Sequence, residues 1–294
     1  MCLAAMLFPV MNGFAKVLIV DYHPTQIVWA RNASHLVFLL ALLVPRVGLV
    51  PLMRCRRPWA QMTISLLLLV STAMMFVALE FIPLANASAI IFTAPLIVTL
   101  LSAVLLREKV GLPRWLAVVA GFVGMLIVMR PGSEIFHPAV LLVLGSATTY
   151  ALYQIVMRRI SGSDTPETTA VYSVVLSTAL MSLVVPFFWI TPMSLIDVLM
   201  FCGMGVIGGF SHYCIAHALA LAPASIVSPF NYAQILGAAI FDFVVFTTFP
   251  DLWVWVGSGI IVASGIFIVW RETRRKRESA TATVSGPANQ PGGR

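Results

Sequence analysis

Charge is scarce in this chain: Asp, Glu, Lys and Arg make up 10% of it, and acidic residues number only 11 in 294, while 60% of the residues are hydrophobic. So little polar surface cannot clothe a soluble globule of this size, and the mean hydropathy of +0.97 agrees. Cysteine is sparse too, and Cys2, Cys55, Cys202 and Cys214 lack paired redox or metal spacing, so they read as packing residues. The sequence has no P-loop, no acidic metal constellation and no nucleophile with a matched base, which removes ATP-driven transport and makes an enzyme unexpected. A channel would show a filter motif or a ring of like charge, and neither is present. No cofactor is implied, and the net charge of +7 is explained by membrane topology without a nucleic-acid partner.

What the chain does have is apolar runs of about 20 residues, the length that crosses a bilayer as a helix. They fall at 1–20, 25–45, 59–79, 84–106, 113–130, 138–157, 168–189, 198–219, 224–246 and 253–270. An all-α integral membrane protein of ten spans is expected, since helices satisfy their own backbone in lipid. The first run has no basic lead and no small-residue cleavage site, so it is expected to stay as a span.

The chain also repeats itself. Pro83-Leu84-Ala85-Asn86-Ala87-Ser88, with Pro95 beyond it, is echoed about half a chain later by Ala222-Pro223-Ala224-Ser225, with Pro229 beyond. Such an echo marks homologous halves, here 1–132 and 133–272, followed by a polar tail, 273–294, expected to be disordered and cytoplasmic. Most of the 18 Lys and Arg residues lie at 46–57, 107–114, 158–159 and 271–294, all on one side, whereas Asp21, Glu80, Glu134, Asp197 and Asp251 collect on the other with Arg130. By this bias both termini are expected on the cytoplasmic side of the membrane. Five spans per half is odd, so the second half is expected to be inverted relative to the first, as in secondary transporters.

Charges inside spans are functional candidates by default. Arg31 sits deep in span two and is expected to line a cavity or gate, with Asp242 or Glu80 as the alternative structural partner. Lys16 and Asp242 lie nearer helix ends, where coupling or gating competes with snorkelling. His35, His212 and His217 are proton-relay candidates because an imidazole as such titrates near neutral pH, His212 being the deepest in its span. Uncharged polar and aromatic groups supply the larger constellation: Asn12, Trp29, Asn32, Phe92, Tyr150, Tyr153, Gln154, Tyr172, Asn231, Tyr232 and Gln234. Buried amides and phenols must find partners, so these are expected to face an interior cavity or one another. Tyr150, Tyr153 and Gln154 share one helix face. Pro9, Pro95 and Pro229 are candidate hinges, and Gly121, Gly124, Gly257 and Gly259 candidate sites of close helix approach or of a homodimer face through the fifth and tenth helices.

The runs Pro83–Ser88 with Pro95, Leu105-Leu106-Arg107-Glu108-Lys109-Val110, Gly121-Phe122-Val123-Gly124 and Arg130-Pro131-Gly132, with second-half counterparts at Ala222–Ser225, Pro250-Asp251, Gly257, Gly259 and Ser264-Gly265, resemble the two repeats of an EamA-type carrier of the drug/metabolite transporter superfamily. The resemblance covers 1–272. It departs from the family pattern around Val244–Thr248, where the glutamate expected to mirror Glu108 is missing and Asp242 lies nearby. It implies a ten-helix alternating-access carrier with the fifth and tenth helices at the periphery. Gln26-Ile27-Val28-Trp29-Ala30-Arg31 and Ala151-Leu152-Tyr153-Gln154 also resemble a bacterial subgroup in which riboflavin importers occur, which implies uptake of riboflavin or a similar heterocycle. Export of amino acids or other metabolites is the alternative within the superfamily.

Overall fold

A computed structural model of the chain describes residues 2–105, 112–130, 137–222 and 251–284, with 227, 231, 234, 241, 243–245 and 247. Asp242, Pro229 and Tyr232 lie outside the described residues. The regular elements among the described residues are all helices, in the order α1 (Cys2–Leu18), α2 (Pro24–Val47), α3 (Leu49–Met53), α4 (Pro58–Phe81), α5 (Leu84–Ile91), α6 (Ala94–Leu105), α7 (Leu112–Met129), α8 (Val140–Ile160), α9 (Pro166–Val184), a 3-10 turn (Val185–Phe188), α10 (Leu195–Leu221) and α11 (Leu252–Val284). By length and composition, α2, α4, α8, α10 and α9 with its 3-10 turn can each cross a membrane, and Ala5–Leu18, Asn86–Leu101, Trp115–Val128 and Leu252–Ile268 are shorter apolar helical stretches. The ninth expected span falls mostly outside the described residues.

The helix starts are written in the sequence. Proline in the first turn opens α2, α4 and α9, where its missing N–H costs nothing. Thr165 caps α9 by accepting from the Thr168 N–H, and Ser194 with Asp197 forms a reciprocal capping box on α10. After α2 the chain turns through Gly48, whose φ of 85° suits a residue without a Cβ. The final helix runs to Val284, past the boundary expected at 272, because its Arg, Lys, Glu and Ala residues favour extending a helix already nucleated.

The expected fourth span is two helices. Pro95 has no N–H to give the Ile91 carbonyl, and Thr93 turns its hydroxyl onto Ile90 O at 2.8 Å, so α5 ends and α6 restarts within a few residues. Pro9, in contrast, sits inside the continuous α1.

Packing interleaves the two halves. α4 lies along α8 and α9, α2 along α9 and α10, α1 against α10, and α5 and α6 against α8, while α7 and α11 pack on each other. Glycine sets the closest approaches. A Cβ on Gly205 would stand 1.9 Å from Ser34 Oγ, and one on Gly209 2.7 Å from the Phe38 ring, so α10 seats on α2 through a Gly-x-x-x-Gly step. Gly124 and Gly257 meet one another inside the chain, a Cβ on either reaching within 2.7 Å of the other's carbonyl. That pair is therefore occupied by the α7–α11 contact rather than free for a homodimer face. Gly121 packs on Leu96, and Gly259 faces open space.

Candidate functional site

A small cavity of about 70 Å³ lies where α1, α2, α4, α5, α8 and α10 converge. Its apolar wall comes from Phe8, Met11, Leu68, Met75, Phe76 and Ile91, and its polar wall from Asn12, Arg31, Tyr150, His212 and Gln234 with three small hydroxyls. The apolar wall comes from the first half of the chain, and both halves contribute to the polar wall.

Arg31 is 1% exposed, so its head group must be satisfied by protein or by an occupant of the cavity. Its Nη1 donates to Asn32 Oδ1 at 2.9 Å and its Nη2 lies 2.9 Å from His212 Nε2. A guanidinium only donates, so Nε2 must hold a lone pair and the ring proton sits on Nδ1. That Nδ1–H then donates to the Tyr153 hydroxyl 3.1 Å away. The tautomer of His212 is thus fixed from both sides. Rings enclose it: Phe8 meets it edge-on at 5.4 Å, Tyr153 edge-on at 5.7 Å, and His35 stacks on it at 5.6 Å. Gly208 leaves room beside this cluster, its ideal Cβ position lying 3.5 Å from Arg31 Nε.

Several buried polar atoms here make no hydrogen bond among the described residues: Arg31 Nε, Asn32 Nδ2, the Tyr150 hydroxyl, both ring nitrogens of His35, and the side-chain amides of Gln154 and Asn231. Buried polar groups are rarely left so, and the two that belong to cavity-lining residues, Arg31 Nε and the Tyr150 hydroxyl, fit a polar occupant. Among the described residues the buried carboxylate is Asp164, which is away from the cavity wall. Glu80 is exposed and does not pair with Arg31, so that expected alternative is set aside.

The structure brings together Asn12, Arg31, Asn32, Tyr150, Tyr153, His212 and Gln234, and buries Phe92, Gln154 and Asn231 in the same interior. It holds two other candidates elsewhere. Trp29 donates from Nε1 to Ser182 Oγ at 2.9 Å and packs on Trp189, at the end of the bundle where α9 stops. Tyr172 donates to the Met53 carbonyl at 2.9 Å, at the opposite end. Lys16 is bonded to the carbonyls of Leu79 and Ile82, capping the C-terminus of α4, where a cation suits the helix dipole. His217 faces Glu167 at 3.2 Å, away from the cavity. Pro95 stands at the α5–α6 break, beside the cavity residue Ile91. Ser71 and Ser146 were not singled out from the sequence: each accepts the other's hydroxyl on its backbone carbonyl, at 3.0 and 2.8 Å, and together they line the cavity and pin α4 to α8. Serine within an apolar span was the available signal.

Two polar clusters close the bundle ends across the halves. At one, Gln26 pairs its side-chain amide with the backbone N–H and carbonyl of Ile190 at 2.8 and 2.7 Å, and Tyr22 donates to Asp197 and accepts from Met193 N, both at 2.8 Å. At the other, Asp164 accepts from Arg56 N at 2.8 Å and from Gln61 Nε2 at 3.0 Å. Arg130 pairs with Asp251 and lies over the Trp253 ring. The guanidinium holds the Asp251 carboxyl below its usual range, so the pair persists at neutral pH and is lost only as pH falls through that lowered value.

The sequence model of the EamA-like transporter family matches residues 1–130 and again 137–270. Among curated proteins, the chain is 35% identical over 196 residues to a riboflavin transporter of Vibrio cholerae, covering 67% of this chain and 66% of that one, just under two thirds. It is 29% identical to a riboflavin transporter of Rhizobium johnstonii, over 80% of this chain and 78% of that one. An S-adenosylmethionine uptake transporter of Rickettsia prowazekii is 27% identical, over 76% and 75%. A protein of known crystal structure shares the fold, with a TM-score of 0.67 at 17% identity across 93% of this chain and 98% of that chain. With two matches of one family model covering nearly its whole length, the chain belongs to the EamA-like transporter family and is a multi-pass membrane protein of that class.

Proposed function

We propose that the protein is a secondary carrier for uptake of riboflavin or a closely similar heterocycle across the bacterial inner membrane, through the cavity around Arg31, Tyr150 and His212. The observation that carries this is the wall itself, aromatic and aliphatic on one side and polar on the other, where Arg31 Nε and the Tyr150 hydroxyl have no partner among the described residues. Flat rings stack on such surfaces, and amides, hydroxyls and a guanidinium meet ring carbonyls and nitrogens. The relatives named riboflavin transporters support the same substrate. An exported zwitterionic amino acid would need a carboxylate for its ammonium group, and among the described residues the wall offers none. S-adenosylmethionine carries a sulfonium cation, which the buried Arg31 disfavours.

Ten spans in two inverted five-helix repeats, with both termini cytoplasmic, is the architecture that goes with this function. The pairings support it. Counting α5 and α6 as one span, a shift by five spans turns the α4–α8 contact into α10–α1 and the α2–α10 contact into α9–α4, and returns the α2–α9 and α7–α11 contacts to themselves. Movement is facilitated or proton-linked, with His212 as the coupling residue because it is wired to Arg31 and to the cavity. Lys16 acts as a strut, and Pro95 as the hinge.

Purified protein in liposomes tests the function. Saturable uptake of labelled riboflavin, accelerated by unlabelled riboflavin inside, is expected of a carrier; linear, unsaturable flux or none would reject it. A pH gradient that changes neither rate nor accumulation would leave facilitated movement as the mode.

A further inference from the structure

We infer that the cavity selects an uncharged or anionic heterocycle by an acceptor-bearing edge, read by the Arg31 Nε–H and the Tyr150 hydroxyl, and that it rejects cations. This deepens the proposed function and rests on the cavity being the transport site.

Arg31 has two of its three nitrogens engaged by protein: Nη1 on Asn32 and Nη2 on His212. Those two bonds fix the plane of the guanidinium. The third, Nε, is buried, has no partner among the described residues, and belongs to a side chain on the cavity wall. Tyr150 stands on the same wall with its hydroxyl likewise unpaired, and its ring is fixed by stacking on Tyr153 at 5.5 Å. Tyr153 is in turn held by the Nδ1–H of His212. One chain of contacts, from Asn32 through Arg31, His212 and Tyr153 to Tyr150, therefore orients both readers from behind. Both ring nitrogens of His212 are engaged, one by Arg31 Nη2 and one by the Tyr153 hydroxyl, so towards these two readers His212 acts as a positioning residue.

The charge balance gives the class. The wall carries a guanidinium and, among the described residues, no carboxylate. A fixed cation at close range, in a site partly shielded from water, repels another cation and favours carbonyl oxygen, ring nitrogen or an anionic oxygen. Riboflavin's ring carbonyls and ring nitrogens form such an edge and carry no charge at neutral pH. A sulfonium or a quaternary ammonium does not.

Binding to the intact, detergent-purified protein is followed by quenching of riboflavin fluorescence. Tyr150→Phe removes a hydroxyl that no group among the described residues uses, so it leaves packing intact and is expected to weaken riboflavin binding by about tenfold with unchanged thermal stability. Arg31→Gln is expected to weaken it by about a hundredfold, as befits a bond to a charged group, and to abolish the preference for riboflavin over S-adenosylmethionine in competition. Wild-type affinity in both variants would overturn the inference while leaving riboflavin transport standing. Failure of the wild type to bind riboflavin would sink the proposed function instead. The thermal shift with orotate, an anionic heterocycle rich in carbonyls, against S-adenosylmethionine then decides the class. Stabilisation by orotate that Arg31→Gln loses keeps it, and stabilisation by S-adenosylmethionine or by neither overturns it.

Discussion

Arg31 shows how one residue organises a site. Depth in an apolar span makes it a functional candidate from sequence alone, but its partner His212 is 181 positions away and no local pattern joins them. Once joined, the two settle a question that distance alone leaves open, the tautomer of the imidazole, because one partner can only donate. Removing Arg31 therefore also disturbs Tyr153, and the two are predicted to couple. In a double-mutant cycle on riboflavin KM, Arg31→Gln and Tyr153→Phe should be non-additive by about 1 kcal/mol or more; strict additivity would mean the relay is idle. Trp29 and Tyr172 show the reverse limit of sequence reasoning. Position along a helix says how deep a ring lies, not which neighbour it meets, and these two meet Ser182 and Met53 at opposite ends of the bundle.

Among the helices, the break between α5 and α6 was half legible. Proline at 95 announces it, but its position follows from Thr93 taking the Ile90 carbonyl, a choice made only once the helix has stopped. Pro95→Ala restores a donor for Ile91 O and favours one continuous helix beside the cavity. Riboflavin binding should be retained while exchange in liposomes slows by about tenfold, equivalent to ~1.4 kcal/mol on the barrier; unchanged exchange would show that the break does not move in the cycle. The α2–α10 seat was not legible in full, since Gly205 and Gly209 read as ordinary small residues until α2 is seen against them. A methyl group at 205 has no room beside Ser34 Oγ and the His35 N–H, so Gly205→Ala should destabilise by about 1–3 kcal/mol, seen as a lower Tm in detergent. An unchanged Tm would contradict that contact.

For the whole molecule, class was the most legible property and substrate the least. Sparse charge and long apolar runs demand a membrane protein whatever its partners, and the half-chain echo finds its counterpart in a family model that matches twice. Substrate choice instead depends on which polar atoms stay unpaired around a cavity, and pairing across 181 or 59 positions is invisible before folding. Inverted topology is tested by reporter fusions after Arg57 and after Arg277, both expected to report cytoplasm; a periplasmic signal from either would break the inversion. The most direct measurement of riboflavin uptake is growth. In a bacterium that can neither make nor import riboflavin, expression of this protein should restore growth on low external riboflavin, and Arg31→Ala or Tyr153→Ala should lose it at unchanged protein level. No growth from a well-expressed wild-type protein would contradict riboflavin uptake.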